Sequence, residues 1–137
     1  MKGENIKSKR MPAGIILVIM WMVFVIVNYI LRGLGREVFL IHQKIFGTSL
    51  AVFFLITNII IFIGVIILLI LFILRKRNSW KYFIFFVALI LFKDLTELSL
   101  LVIFSVIREF VPFLILKIVI YFWVMYSVNK NRGYFNR

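Results

Sequence analysis

The sequence predicts an all-α integral membrane protein, a bundle of four transmembrane helices with both termini cytoplasmic. Three observations predict it. Of 137 residues, 64% are hydrophobic and only 16% are charged. A soluble domain of that size has too little interior to hide so much apolar side chain. The apolar residues fall into four blocks, each near the length needed to cross a bilayer. Finally, basic residues gather where the blocks end, as topology signals do.

The first block covers Pro12 to Leu31 and follows `MKGENIKSKR`. Its basic lead resembles a signal peptide, but the apolar stretch is too long and `LRGLGRE` offers no small-residue cleavage site. It is therefore expected to remain as a membrane helix, with Pro12 harmless in a first turn. The second block covers Ser49 to Leu74 and is stopped by `RKR`. At a rise of 1.5 Å per residue it reaches about 39 Å, enough for a tilted crossing. The third runs from Tyr82 to Ile107 and contains `KDLTE`. The fourth, from Phe110 to Val128, carries Lys117, with Pro112 in its first turn. Tyr121, Trp123 and Tyr126 suit an aromatic belt near the headgroups at its far end.

Between the first two blocks, Leu34, Val38, Ile41 and Ile45 recur at helical spacing, with Arg36, Gln43 and Lys44 among the polar positions. That pattern suits a short amphipathic helix in the membrane interface. With four spans, the amino-terminal tail, the `RKRNSWK` loop and the carboxyl tail lie on one side. They hold eleven basic residues, against Arg32, Arg36, Lys44 and Arg108 on the other. The positive-inside rule then places both termini in the cytoplasm of a cell (inner) membrane, the chain forming a single membrane domain.

The third block decides the rest. Split at its charges, it would leave two halves too short to cross, with backbone groups that a small chain could not satisfy. One continuous helix instead carries Lys93, Asp94 and Glu97 near its middle, where each charge costs roughly 2.5–3.5 kcal/mol unless paired or hydrated. Lys93 and Glu97 are four apart, Asp94 and Glu97 three apart, so they are neighbours on the helix surface. Counting depth by helical rise, Lys117 on an antiparallel fourth helix comes within reach of Glu97. Lys93, Asp94, Glu97 and Lys117 then sum to zero charge. Thr57 and Asn58 on the second helix fall at a similar depth, and Asn28, Ser99 and Ser105 lie toward the same end. This bias toward one half suggests a small polar vestibule facing outward. The candidate site is therefore the cluster Asn58, Lys93, Asp94, Glu97 and Lys117.

Functionally, the leading expectation is a small accessory, assembly or regulatory protein acting through helix contacts with a membrane-protein partner or with itself. A small oligomeric transporter or channel using the cluster is the alternative, and a lipid-modifying enzyme a further one. The basic segments would meet anionic lipid headgroups on the cytoplasmic side, and their placement argues against nucleic acid. With no cysteine, thiolate chemistry is excluded. The single histidine, His42, reads as a solvated loop residue, and no motif for a metal or cofactor appears.

Overall fold

A computed structural model describes residues 10–32, 35–103 and 111–135 of the chain. It is all-α. The helices are α1 (Ala13–Leu31), α2 (Arg36–Phe46), α3 (Thr48–Ile73), α4 (Ser79–Ile103) and α5 (Val111–Lys130), followed by a 3-10 turn at Arg132–Phe135. Among the described residues, three helical stretches are long and apolar enough to cross a membrane: Ala13–Leu31, Thr48–Ile73 and Pro112–Lys130. With 25 residues, α4 is also long, about 37 Å by its rise, but it carries three ionisable side chains at its centre. The far end of the third block and the turn at Arg108 and Glu109 lie outside the described residues.

Local chemistry explains the helix boundaries. Pro12 caps α1, and its carbonyl accepts from the amides of Ile15 and Ile16. Pro112 sits in the first turn of α5, where its missing amide hydrogen is not needed. Glu37 in the first turn of α2 and Lys44 in its last complement the helix dipole. One residue, Gly47, joins α2 to α3 at φ 82°, a left-handed conformation that other residues adopt at a cost.

The packing is cyclic. Helix α1 contacts α3, α3 contacts α4, α4 contacts α5, and α5 returns to α1. The buried positions of α3 are Ala51, Phe54, Asn58, Ile61, Val65, Leu68 and Phe72, alternating steps of three and four. Helix α4 repeats the pattern with Phe83, Val87, Ile90 and Asp94, and α5 with Leu114, Tyr121, Val124 and Val128. Such a seam gives the shallow, left-handed packing of coiled-coil-like bundles. Trp21 of α1 fills the centre, edge-on to both Phe83 and Tyr121 at about 6 Å.

Helix α2 does not lie across the end of this arrangement. Phe46 and His42 meet Phe54, while Gly35 meets Leu55 and Asn58, so α2 runs antiparallel along the first turns of α3. Tyr29 of α1 meets Phe62 and Asn58 on the same helix. Helices α1 and α2 therefore pass α3 in the same sense, like one long helix broken between Leu31 and Arg36. The short helix expected between the first two blocks is present, and it packs along α3. An αα-hairpin closed by one glycine leaves α2 little choice but to fold back along α3.

At the opposite end, the start of α1, the α3–α4 link and the end of α5 converge. Gly14 lies beside Ser127 and Asn131, the Arg75 side chain donates from Nε to the Tyr134 hydroxyl at 2.7 Å, and Phe135 packs on Phe72. Halfway along, Gly64 lets the Phe86 ring lie directly against the α3 backbone, in space a Cβ would occupy. Replacing Gly64→Val should therefore lower stability by about 1–3 kcal/mol, as overpacking does. Unfolding in detergent micelles would measure it, and Phe86→Ala in the same chain should recover part of the loss.

Candidate functional site: a charged network joining α2, α4 and α5

Asp94 takes a seam position on α4 where Val87 and Ile90 precede it, and its side chain is 1% exposed. A lone carboxylate buried there would be costly, and three donors answer it. Lys93 Nζ lies 3.2 Å from Oδ1. On Oδ2, the Tyr121 hydroxyl donates at 2.9 Å and Lys117 Nζ lies at 3.4 Å. Both α5 groups occupy the seam of that helix one turn apart, so α5 grips α4 at this oxygen.

Glu97 faces a different way. Its Oε2 pairs with Lys93 Nζ at 3.1 Å and its Oε1 with His42 Nε2 at 2.8 Å. Lys93 thus bridges both carboxylates while its ammonium lies over the Phe54 ring. His42 is 4% exposed, stacked on Phe46 and Phe54, with Nδ1 2.7 Å from the Val38 carbonyl. That carbonyl only accepts, so Nδ1 carries a hydrogen. The contact between Nε2 and a carboxyl oxygen then needs a second proton, held between His42 and Glu97. A continuous chain of contacts runs from α2 through α4 to α5.

Several expectations change here. Lys117 meets Asp94 rather than Glu97. Depth counting alone could not choose, because the two acids are close along the axis; their three-residue spacing rotates them by about 60° on the helix. Asp94 therefore points to α5 and Glu97 to α2. His42 is not solvated but buried, and it replaces Lys117 as the further partner of Glu97. Its position four residues after Val38, on the apolar face of α2, was the available signal. Tyr121 is a buried donor to Asp94, not part of an aromatic belt; Trp123 and Tyr126 are exposed.

The remaining polar residues stay outside the network. Thr57, Thr96 and Ser99 donate to carbonyls four residues back on their own helices, those of Phe53, Phe92 and Leu95. Asn58 is buried and accepts from the Tyr29 hydroxyl at 3.3 Å, beside the network. Asn28 is half-buried, and Ser105 lies outside the described residues. Among the described residues, the cavity bordering Lys93 is an apolar groove of about 300 Å³ between α3 and α4, walled by Phe53, Ile60, Phe86 and Phe92.

Chemically, the carboxylates are occupied by amines, imidazole and phenol, and they do not bracket a cavity as paired acid–base groups do. Among the described residues, no three of His, Asp or Glu are placed to hold a metal ion. The arrangement is suited to clamping helices and to holding one proton. Compared with protein-family models, curated proteins and solved structures, the chain matches none.

Removing one partner of a buried pair is far worse than removing both. Asp94→Asn should therefore destabilise the fold by about 3 kcal/mol, leaving Lys117 and part of Lys93 unanswered. Adding Lys117→Met should return a measurable part of that loss in the same micellar unfolding assay, a coupling that independent sites would not show.

Proposed function

We propose that the protein is a small multi-pass membrane protein that acts through helix contacts with a membrane partner, as an accessory, assembly or regulatory subunit. In this reading the chain forms one domain of four transmembrane helices, α1, α3, α4 and α5, with both termini in the cytoplasm. The observation that carries it is that the buried members of the charged network are answered from within the chain. Asp94, Glu97, Lys93, His42 and Tyr121 spend their bonding capacity on one another and on Lys117, which ties α2, α4 and α5 together and leaves only Lys117 partly open. A cargo entering the network would have to displace those bonds.

What remains outward is apolar. Phe24, Phe53, Phe85, Phe92, Phe113 and Phe122 are exposed along the helices and suit lipid or another helix. The convergence of Arg10, Arg75, Lys130 and Arg132 at one end supports a cytoplasmic placement of that end, where anionic headgroups would add of order 1 kcal/mol per charge.

One observation favours a second reading, a small proton-coupled transporter. The start of α2 meets Asn58, and about two turns further on this helix carries an imidazole that shares a proton with Glu97; interrupted helices near ionisable groups mark many transport sites. The two readings separate in proteoliposomes. As a helix-contact protein, the purified chain should leave a pH gradient undissipated, while in its native membrane it should co-purify with another membrane protein. Proton flux that Glu97→Gln abolishes in a folded chain would contradict the proposal and establish the transporter. Topology is checked separately: an impermeant thiol reagent on intact cells should reach a cysteine at Gln43 but not one at Lys81 or Asn131.

A further inference from the structure

The network holds one more positive charge than negative. The His42–Glu97 pair, with the single proton between them, is neutral whichever residue holds that proton. Lys93, Lys117 and Asp94 then remain, two cations against one carboxylate. The surplus is located by exposure. Lys93 is held between two carboxylates at 12% side-chain exposure, whereas among the described residues Lys117 pairs with the far oxygen of Asp94 and is 42% exposed. A cation half open to an apolar surrounding calls for a counter-charge from outside the chain.

The surface around Lys117 has the form of a helix-docking strip. Phe113, Leu116, Ile120 and Trp123 follow one another on α5 at steps of three, four and three, the spacing by which one helix meets another. Phe113, Leu116 and Trp123 are exposed and Ile120 is half-buried. We propose that Lys117 and this strip form the docking face for a transmembrane helix of a partner protein, and that the partner contributes a carboxylate side chain to Lys117. The proposal rests on the helix-contact reading and names the chemistry of the partner.

A lipid phosphate fits less well. Exposed apolar residues continue along the helices on both sides of the network, with Phe53 and Val102 toward one end and Ile67 and Phe85 toward the other. The ammonium therefore sits within an apolar belt, below the level at which phosphates lie, whereas a side chain on a helix can be placed at any depth. A second copy of this chain fits less well too. Symmetric packing through this strip would bring two Lys117 side chains together, and α5 has no acid among its described residues.

The test uses the full chain, donor-labelled, in phosphatidylcholine vesicles with acceptor-labelled polyleucine transmembrane peptides. The peptides carry aspartate, lysine or leucine at their central position. Energy transfer should show the aspartate peptide associating about tenfold more tightly than the leucine peptide, with the lysine peptide no better than leucine. Lys117→Met should erase the preference and Lys117→Arg should keep it. Circular dichroism checks that each variant is folded; if Lys117→Met is not, the ranking of peptides on the native chain and on Lys117→Arg still decides.

Equal association of the three peptides would overturn the proposal, as would an aspartate preference that survives in folded Lys117→Met. So would a preference abolished by adding phosphatidylglycerol, which would assign Lys117 to lipid phosphate. Energy transfer between differently labelled copies of the native chain, lost in Lys117→Met, would assign it to self-association and equally overturn the proposal. A native partner that co-purifies with both the native and the folded Lys117→Met chain would remove this docking face while leaving the helix-contact reading in place.

Discussion

The rest of the structure depends on one buried carboxylate. Asp94 stands where the α4 seam otherwise carries Phe83, Val87 and Ile90, and its burial is tolerable only because Lys93, Lys117 and Tyr121 reach it. Answering it fixes the rotation of α4 about its axis, which in turn aims Glu97 at α2. It also fixes the height of α5, since Tyr121 and Lys117 meet the same oxygen. An apolar seam of phenylalanine and isoleucine would tolerate sliding and rotation more readily; an ion pair at one height does not. This is the registry role that buried charges serve best, and it is a more natural use of them than net stability.

The second consequence concerns α2. This helix carries Arg36, Glu37, Gln43 and Lys44 outward, yet His42 turns inward between two phenylalanines to reach Glu97. The contact joins the interrupted course of α1 and α2 to the same network that holds α5. A proton shared between imidazole and carboxyl makes the join directional, because each group needs the other to satisfy its hydrogen bonds. Clamping and proton holding are thus two aspects of one geometry. The proposed helix-contact function uses the first, and the network reaches the surface at Lys117, the side chain proposed to meet a partner.

Much of this was legible along the sequence because it is local. Helix lengths followed from apolar runs, the short helix α2 from the spacing of Leu34, Val38, Ile41 and Ile45, and the shared face of Lys93 and Glu97 from their spacing. The unbroken course of α4 through `KDLTE` followed from the cost of exposing backbone in oil. What the sequence hid is non-local. Whether Lys117 met Asp94 or Glu97 depended on helix rotation set by distant packing, which an axial count does not contain. Tyr121 looked like an interface residue because it stands with Trp123 and Tyr126 in the last part of an apolar block, but a phenol 7% exposed inside a seam behaves as a donor. A lone histidine between two spans reads as solvated, although the spacing of His42 from Val38 places it on the packed face of α2. Thr57 and Ser99 looked available by depth, yet each, like Thr96, donates to a carbonyl of its own helix.

Every contact of the charged network requires α4 to be a continuous helix surrounded by apolar matter at the level of its charges. Hydrogen–deuterium exchange of the full chain in lipid nanodiscs measures this residue by residue. Amides from Phe85 through Leu100 should exchange as one slow, unbroken segment, with those around Asp94 as protected as their neighbours. Rapid exchange confined to Phe92–Leu98, flanked by two protected halves, would mark a hydrated connector and contradict the account.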